Sequence, residues 1–196
     1  MADANDVAAA LLRETGAVTT MKLQKLVYYS QAWHLAFNSE PLFQDTIEAW
    51  EQRPITPVLY RKHKGQHKVS SWPFGNSDNL SKSERGTVSW VLAKYSHFSA
   101  ESLSRMAHME TPWIIARGFS GNNDKSSDPI DLNIMSHFYA RQIADVGVAV
   151  AQAAASASME GVDLDDQWQE ELRSVASGAK SASEAIADEI RRATRR

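Results

Sequence analysis

Residues 23–37, LQKLVYYSQAWHLAF, decide the fold because this predicted helix is apolar on nearly every side. At about 100° per residue, one broad face is an ordinary core-facing stripe: Leu23, Leu26, Val27, Ser30, Trp33, His34 and Phe37. The opposite face is small and aromatic: Tyr28, Tyr29, Ala32, Leu35 and Ala36. The residues polar enough to face water are Lys22, Gln24, Lys25 and Gln31. Such a helix is either central and covered on both sides, or it keeps one face for a partner.

The composition is that of an ordinary globular protein. Hydrophobic residues make up 43% of the 196 positions, and the net charge of -3 argues against a surface built for nucleic acid. Cysteine is absent, which excludes disulfides, thiolate metal sites and cysteine nucleophiles. The first residues lack the basic start of a signal peptide, and no run approaches the ~18 apolar residues of a membrane span. We therefore expect an intracellular protein without a membrane partner.

Short amphipathic segments separated by breaks predict a mainly α-helical domain as far as Gln142. The predicted helices cover residues 5–15, 23–37, 58–64, 83–98, 99–110, 111–118 and 128–142. Pro54 and Pro57 interrupt the segment before the third helix, which is predicted to be irregular or extended, with a short β pair as an option. The fold expected is a compact bundle of short helices with an irregular proline-containing segment.

Beyond Gln142 the sequence predicts a C-terminal helical extension. Residues 143–158 are rich in alanine and carry a narrow face suited to close helix contact. After Gly161, apolar residues recur at alternating spacings of three and four, as in a heptad seam: Trp168, Leu172, Val175, Ala179, Ala182 and Ile186. This seam either caps the domain, binds a partner or joins two copies of the chain. We therefore divide the chain into residues 1–142 and 143–196.

Residues 61–68, RKHKGQHK, place two histidines four residues apart among four cations. That spacing can present two imidazoles to one metal ion, but a glycine lies between them and no carboxylate is near to balance the charge. The sequence therefore predicts a solvated basic segment and no metal site. Its alternative is contact with phosphate or an acidic partner through this run (Arg61, Lys62, Lys64 and Lys68) together with Arg53.

Motifs for catalysis are absent from the sequence. It contains no G-x-S-x-G, no H-E-x-x-H and no Gly-rich phosphate loop. An enzyme hypothesis would use His108, Glu110 and Arg117, or the region of His97. His108 is better interpreted as a member of a polar cluster at a helix junction, bonded to backbone or to a carboxylate. We therefore predict no enzyme activity, no catalytic residue and no cofactor.

The segment LQKLVYYSQAWHLAFNSEPLFQDTIEAW, residues 23–50, resembles the opening of the Panacea domain, also called the SocA-like antitoxin domain and found in phage-associated GepA-type proteins. RPITPVLYRKHK resembles the turn and the Pro-x-x-Tyr step that follow in the family, and YSHFSAESLSRMAHMETPWIIARG resembles its later signature. The resemblance covers about residues 17–142. Two positions depart from the pattern: Arg53 stands where the family usually has glycine, and Ala107 where it usually has threonine.

The resemblance implies a mainly α-helical domain that neutralises a toxin or effector by direct protein–protein contact, or that delivers it to a protease as an adaptor. It implies no enzyme activity, and it implies the cytoplasm of a bacterium, with the gene in a bacterial or phage genome. The alternative is a phage accessory protein of the same fold that binds a host protein and inhibits or redirects it. No helix-turn-helix pattern is visible, so we do not expect nucleic acid as a partner.

These interpretations divide the candidate residues into two groups. Matches to the family motif that we expect to be structural are Gln24, Lys25, Leu26, Trp33, His34, Trp50, Pro54, His108, Pro112 and Trp113. Candidate partner-binding residues are Tyr28, Tyr29, Arg53, Arg61, Lys62, Trp168, Leu172, Val175 and Ile186. For the two tyrosines the alternative is burial under another helix, with residues 143–158 as a candidate; we favour burial for Tyr28 and leave Tyr29 open.

Overall fold

The computed structural model describes residues 2–51, 53–118, 127–159, 165–177, 179–180 and 185. Within them the helices are α1 (Ala4–Thr15), α2 (Thr20–Asn38), α3 (Pro57–His63), α4 (Lys82–Tyr95), α5 (Ala100–His108), α6 (Thr111–Gly118), α7 (Leu132–Met159) and α8 (Asp166–Ala176). The strands are β1 (Val18–Thr19), β2 (Glu48–Trp50), β3 (Arg53–Ile55) and β4 (Lys68–Val69), and a short 3-10 helix covers Ser77–Asn79. The predicted mainly α-helical fold class is confirmed.

The chain divides into two compact units, Met1–Tyr139 and Ala140–Arg196. The predicted boundary at residue 142 falls inside α7, close to the point where the first unit ends. None of the helices in the described ranges is both long and apolar enough to cross a membrane.

Helix α2 is the central element of the first unit. It begins where the Thr19 hydroxyl accepts a hydrogen bond from the Lys22 amide at 3.2 Å. Every residue from Leu23 to Leu35 is buried, and α1, α4 and α5 all pack against it. A helix that is apolar all round is buried all round, so α2 is covered on both faces.

Polar side chains fix the starts of several other helices. Asp3 and Asp6 form a capping box at α1, and Ser81 and Glu84 form one at α4. The hydroxyl of Ser99 accepts a hydrogen bond from the amide of Ser102, the third residue of α5, at 3.1 Å. Each cap satisfies amides that have no partner within the helix, which is why these residue types mark helix starts in the sequence.

Two short antiparallel strand pairs hold the segments between the helices. In the pair formed by β2 and β3, Trp50 lies opposite Arg53 and Ala49 lies opposite Pro54. This is the β pair that the sequence offered as an option for the proline-containing segment. The second pair joins β1 and β4. It was not predicted, because two strands of two residues each are too short to show an alternating pattern.

The predicted helix start at residue 128 is wrong. Asp128 and Ile130 instead bond to the β2 region: the Ala49 amide donates to the Asp128 carbonyl, and the Ile130 amide donates to the Ile47 carbonyl, both at 2.8 Å. Helix α7 starts at Leu132, and the Asp131 carboxylate accepts hydrogen bonds from the backbone amides of Asn133 and Ile134. Asp131 is therefore the capping residue.

The second unit contains α8, whose first turn is capped by the Asp165 carboxylate at 2.8 Å from the Trp168 amide. The indole of Trp168 is 38% exposed, and Leu172 and Val175 are half-buried. Ile186, Ala182 and Gly161 lie outside the described residues, so the full length of the predicted seam is not tested.

Candidate functional site

Two buried polar side chains of α2 attach the proline-containing segment to the core. Gln24 accepts a hydrogen bond from the Thr56 amide at 2.8 Å and donates one to the Thr56 carbonyl at 3.3 Å, while its amide nitrogen lies 3.0 Å from Nε2 of His63. Lys25 donates a hydrogen bond from Nζ to the Pro54 carbonyl at 2.8 Å. The position of β3 and the start of α3 therefore depends on adjacent residues of one helix.

Gln31 does the same for the segment between α2 and β2. Its Oε1 accepts hydrogen bonds from the amides of Leu42 and Phe43 at 2.9 and 3.1 Å, and its Nε2 donates to the Phe43 carbonyl at 3.0 Å. The expectation that Gln24, Lys25 and Gln31 face water is wrong, since all three are buried. Their side chains replace the hydrogen bonds that irregular backbone would otherwise make to water.

A cluster of three tyrosines around one carboxylate joins α2 to the junction of α5 and α6. The hydroxyls of Tyr28, Tyr29 and Tyr139 donate hydrogen bonds to Glu110 at 2.8, 3.2 and 2.7 Å. We call these four residues the tyrosine–Glu110 cluster. Burial raises the pKa of Glu110, whereas the three hydroxyls and the charge of Lys25 act in the opposite direction. Burial, reinforced by the charge of Glu110, also raises the pKa of Tyr28, so its hydroxyl remains a neutral donor.

Aromatic rings from α4 and α7 pack against both faces of α2. The ring of Tyr29 stacks on Tyr95 with centroids 4.2 Å apart, and the Trp33 indole donates a hydrogen bond to the Tyr95 hydroxyl at 2.9 Å. Tyr139 meets Trp33 edge-on at 5.0 Å. Tyr28 and Tyr29 are 0% exposed. The geometry thus supports burial for both tyrosines, and in this conformation neither can touch a partner.

A surface cluster lies at the junction of α5 and α6, next to β2. The His108 ring packs on Trp113 at 4.4 Å, and the Trp113 indole donates a hydrogen bond to the Trp50 carbonyl at 3.3 Å. Met109 is 81% exposed and Ile114 is 50% exposed. The sequence analysis did not identify these two apolar side chains as candidates. The available signal was their position next to residues 110–113 (ETPW) of the family signature.

The remaining predicted residues fall in three places. Those buried in the first unit are Leu26, His34, Pro54 and Pro112, with His34 placed 2.9 Å from the Thr87 hydroxyl. Arg53 is half-buried in β3, whereas Arg61 and Lys62 are exposed on α3. Within the described residues, no group of three or more acidic or histidine side chains is placed to hold a metal ion.

Lys25 is the buried cation of this region, and its environment makes it sensitive to pH. Burial lowers its pKa well below the ordinary value for lysine; the charge of Arg53 lowers the pKa further, and the charge of Glu110 raises it. The unfolded chain therefore binds more protons than the folded chain between the folded pKa and about 10.4, and stability rises with pH across that window.

We expect the substitution Lys25→Met to remove this part of the pH dependence. Urea midpoints measured at about pH 7 and pH 10 should show the wild type gaining stability relative to the variant as pH rises. Burial lowers the pKa of Lys94 to about 8, but Lys94 is present in both proteins and its effect cancels in the difference. Lys82→Met, at an exposed position, is the control, and its urea midpoint should change with pH as that of the wild type does. The same change with pH for Lys25→Met would contradict the prediction.

Residues 23–114 match the model of the family described as antitoxin SocA-like, Panacea domain. Antitoxin SocA from Caulobacter vibrioides (strain NA1000 / CB15N) is 36% identical over 63 residues, which are 30% of this chain and 34% of that protein. The alignment thus spans about a third of the relative's length. No solved structure matches the chain significantly. The resemblance predicted from the motifs is confirmed.

Proposed function

We propose, from the SocA-like Panacea domain that the chain carries at residues 23–114, that this protein is an antitoxin-type module that neutralises a toxin or another effector by direct protein–protein contact. The family match is the observation that carries the proposal, and the relative named Antitoxin SocA points to the same role. The direct-contact mechanism and the bacterial cytoplasm as its location belong to the proposal.

The buried ionisable side chains Glu110 and Lys25 make structural hydrogen bonds, which supports a binding protein over an enzyme. Glu110 accepts hydrogen bonds from three tyrosine hydroxyls, and the Nζ of Lys25 donates to a backbone carbonyl. Each side chain therefore contributes to holding the surface segments on α2. A surface held in this way loses little conformational freedom on binding, which favours affinity.

The surface at β2 and at the junction of α5 and α6 has the composition of protein interfaces. Trp50, Trp113 and Met109 lie where β2 meets the junction of α5 and α6, and residues of these types are enriched at interfaces. In the second unit, Trp168, Leu172 and Val175 form one face of α8. We assign that face to additional partner contact, with self-association of the chain as the alternative.

The test is co-expression with the toxin-sized reading frame adjacent to its gene in the native genome. We expect the neighbouring product alone to arrest growth, the two together to restore it, and the two proteins to elute as one complex in size-exclusion chromatography. Light scattering on that peak gives the stoichiometry and separates self-association from partner contact. An empty vector is the control for growth.

Other outcomes of this experiment have definite meanings. Restored growth with a shortened half-life of the partner in protease-proficient cells, but not in protease-deficient cells, identifies the adaptor form of the proposal. Retention of a host protein in cells without the neighbouring gene supports the phage accessory protein instead. Failure of growth rescue and of co-elution together would refute the antitoxin role.

A further inference from the structure

One stretch of the chain combines several positive charges with an absence of acidic residues. Between Glu51 and Asp78 the sequence contains no aspartate or glutamate. The cations of this stretch are Arg53, Arg61, Lys62, Lys64 and Lys68. Because the whole chain has a net charge of -3, the remainder is more acidic than that value suggests. The charge is therefore segregated rather than evenly mixed.

Four of these cations lie on α3, on β4 and in the turn between them. We call them the α3–β4 basic surface: Arg61, Lys62, Lys64 and Lys68. All four are exposed, and none forms an ion pair with a carboxylate of the described residues. Gly65, with a φ of +84°, lies in the turn between α3 and β4 and keeps the segment short. The cations thus contribute a local positive potential, and within the described residues none of them is paired directly with a carboxylate.

One carboxylate-containing cleft borders this surface. Arg61 lines a cleft of about 360 Å³ together with Asp45 and Glu48. Lys62 and Lys64 are not part of that cleft. A test of the basic surface is therefore best made at the two lysines.

Phe74 adds an exposed apolar contact next to the cations. Its ring is 48% exposed, with the Lys62 ammonium 4.6 Å from the ring centre. The ring packs edge-on against buried Trp72 at 5.6 Å, and the Trp72 indole donates a hydrogen bond to Asn5 at 3.2 Å. A Cβ at Gly75 would lie 2.2 Å from the Asn5 backbone, so the loop is held tightly against α1.

We propose that the α3–β4 basic surface and Phe74 bind an acidic segment of a partner protein, with an apolar side chain of that segment against Phe74. The proposal rests on the proposed function, since the partner is the toxin or effector named there. Complementary charge accelerates association and fixes register, while a rigid aromatic side chain supplies the apolar anchor.

Single-stranded nucleic acid would also be attracted by four cations, but the aromatic geometry favours a peptide. Base stacking needs an aromatic ring with an open face. Lys62 lies over one face of Phe74, and the ring meets Trp72 edge-on with an interplanar angle of 77°. One face of the ring is therefore occupied by a cation of the protein, which leaves less of the ring for a base to stack on than an uncovered aromatic platform would.

The direct test uses the full chain and a fluorescein-labelled peptide in which glutamates flank a central leucine, followed by fluorescence anisotropy. We expect binding that weakens as salt is added. The double variant Lys62→Glu/Lys64→Glu should bind roughly tenfold more weakly, since two attractions become repulsions. The control Lys82→Glu/Arg105→Glu, at exposed positions on α4 and α5, makes the same change in net charge and should bind as the wild type does.

Thermal melts of both double variants check that they fold. The variant Lys62→Gln/Lys64→Gln removes the two charges without reversing them, so its loss of binding should be intermediate. The proposal is overturned if the wild type does not bind the glutamate peptide, or if both double variants lose binding equally. Binding of an oligothymidine but not of the peptide would assign the surface to nucleic acid instead.

The two proposals fail in different ways. If the co-expressed neighbour elutes equally with the wild type and with Lys62→Glu/Lys64→Glu, the antitoxin role stands and the basic surface is not the binding site. If the wild type captures no neighbour, the antitoxin role fails, whereas the peptide measurement still decides whether this surface recognises acidic segments.

Discussion

Glu110→Ala is expected to destabilise the protein by at least about 3 kcal/mol, because it leaves buried tyrosine hydroxyls without their acceptor, at about 1–3 kcal/mol for each unsatisfied group. Tyr28 and Tyr139 each donate to Glu110 from almost fully buried positions. Tyr29 is affected less, because the Leu103 carbonyl lies 3.4 Å from its hydroxyl. The measurement is the free energy of unfolding in urea, followed by tryptophan fluorescence.

Glu110→Gln is the matched variant, since it retains an oxygen acceptor at nearly the same place. It should be destabilised much less, and Glu40→Ala, at an exposed site, should be close to the wild type. The pKa of Glu110 is raised in the folded protein. The wild type should therefore lose stability relative to Glu110→Gln as pH rises from about 4.3 through the folded pKa. Equal stability of Glu110→Ala and Glu110→Gln would contradict the assigned role.

Gln31→Ala is expected to have a similarly large effect, about 3 kcal/mol or more, for a different reason. The substitution removes partners from the Leu42 amide and from the amide and carbonyl of Phe43, all in a buried segment. Unsatisfied buried backbone groups cost about 1–3 kcal/mol each, and the shortened side chain leaves a cavity. Urea unfolding again provides the free energy.

Two further variants separate the causes at this site. Gln31→Met fills most of the volume without restoring the hydrogen bonds, so a loss close to that of Gln31→Ala identifies the bonds as the main contribution. Gln66→Ala, at an exposed position, should leave stability within about 0.5 kcal/mol of the wild type. A small effect of both substitutions at Gln31 would show that water can replace its side chain.

Local patterns in the sequence were sufficient for most of the helices. The apolar stripe from Leu23 depends on residues of one helix, and α4, α5 and α6 start within one residue of the predicted positions. The start of α7 was misplaced because it depends on residues that are distant in the sequence. Asp128 and Asp131 are both good capping residues, and only pairing with β2 decides between them.

The buried polar network could not be predicted because its partners are distant in sequence. Gln24 and Lys25 bond to backbone groups about thirty residues away, and Tyr28 meets a carboxylate 82 residues away. A glutamine or lysine on a helix is ordinarily solvated. The family resemblance marked Gln24 and Lys25 as structural residues, but it carried no information about which groups they bond.

The central position of α2 has a consequence for synthesis on the ribosome. The 82 residues between Tyr28 and Glu110 take roughly 4–16 s to translate at about 5–20 residues per second. During that interval α2 can pack against α1, which is made earlier, but not yet against α5 or the side chains of Glu110 and Tyr139. The nascent domain completes its core only once Tyr139 has left the exit tunnel, and any prematurely terminated product ending before Glu110 exposes this helix to chaperones and proteases.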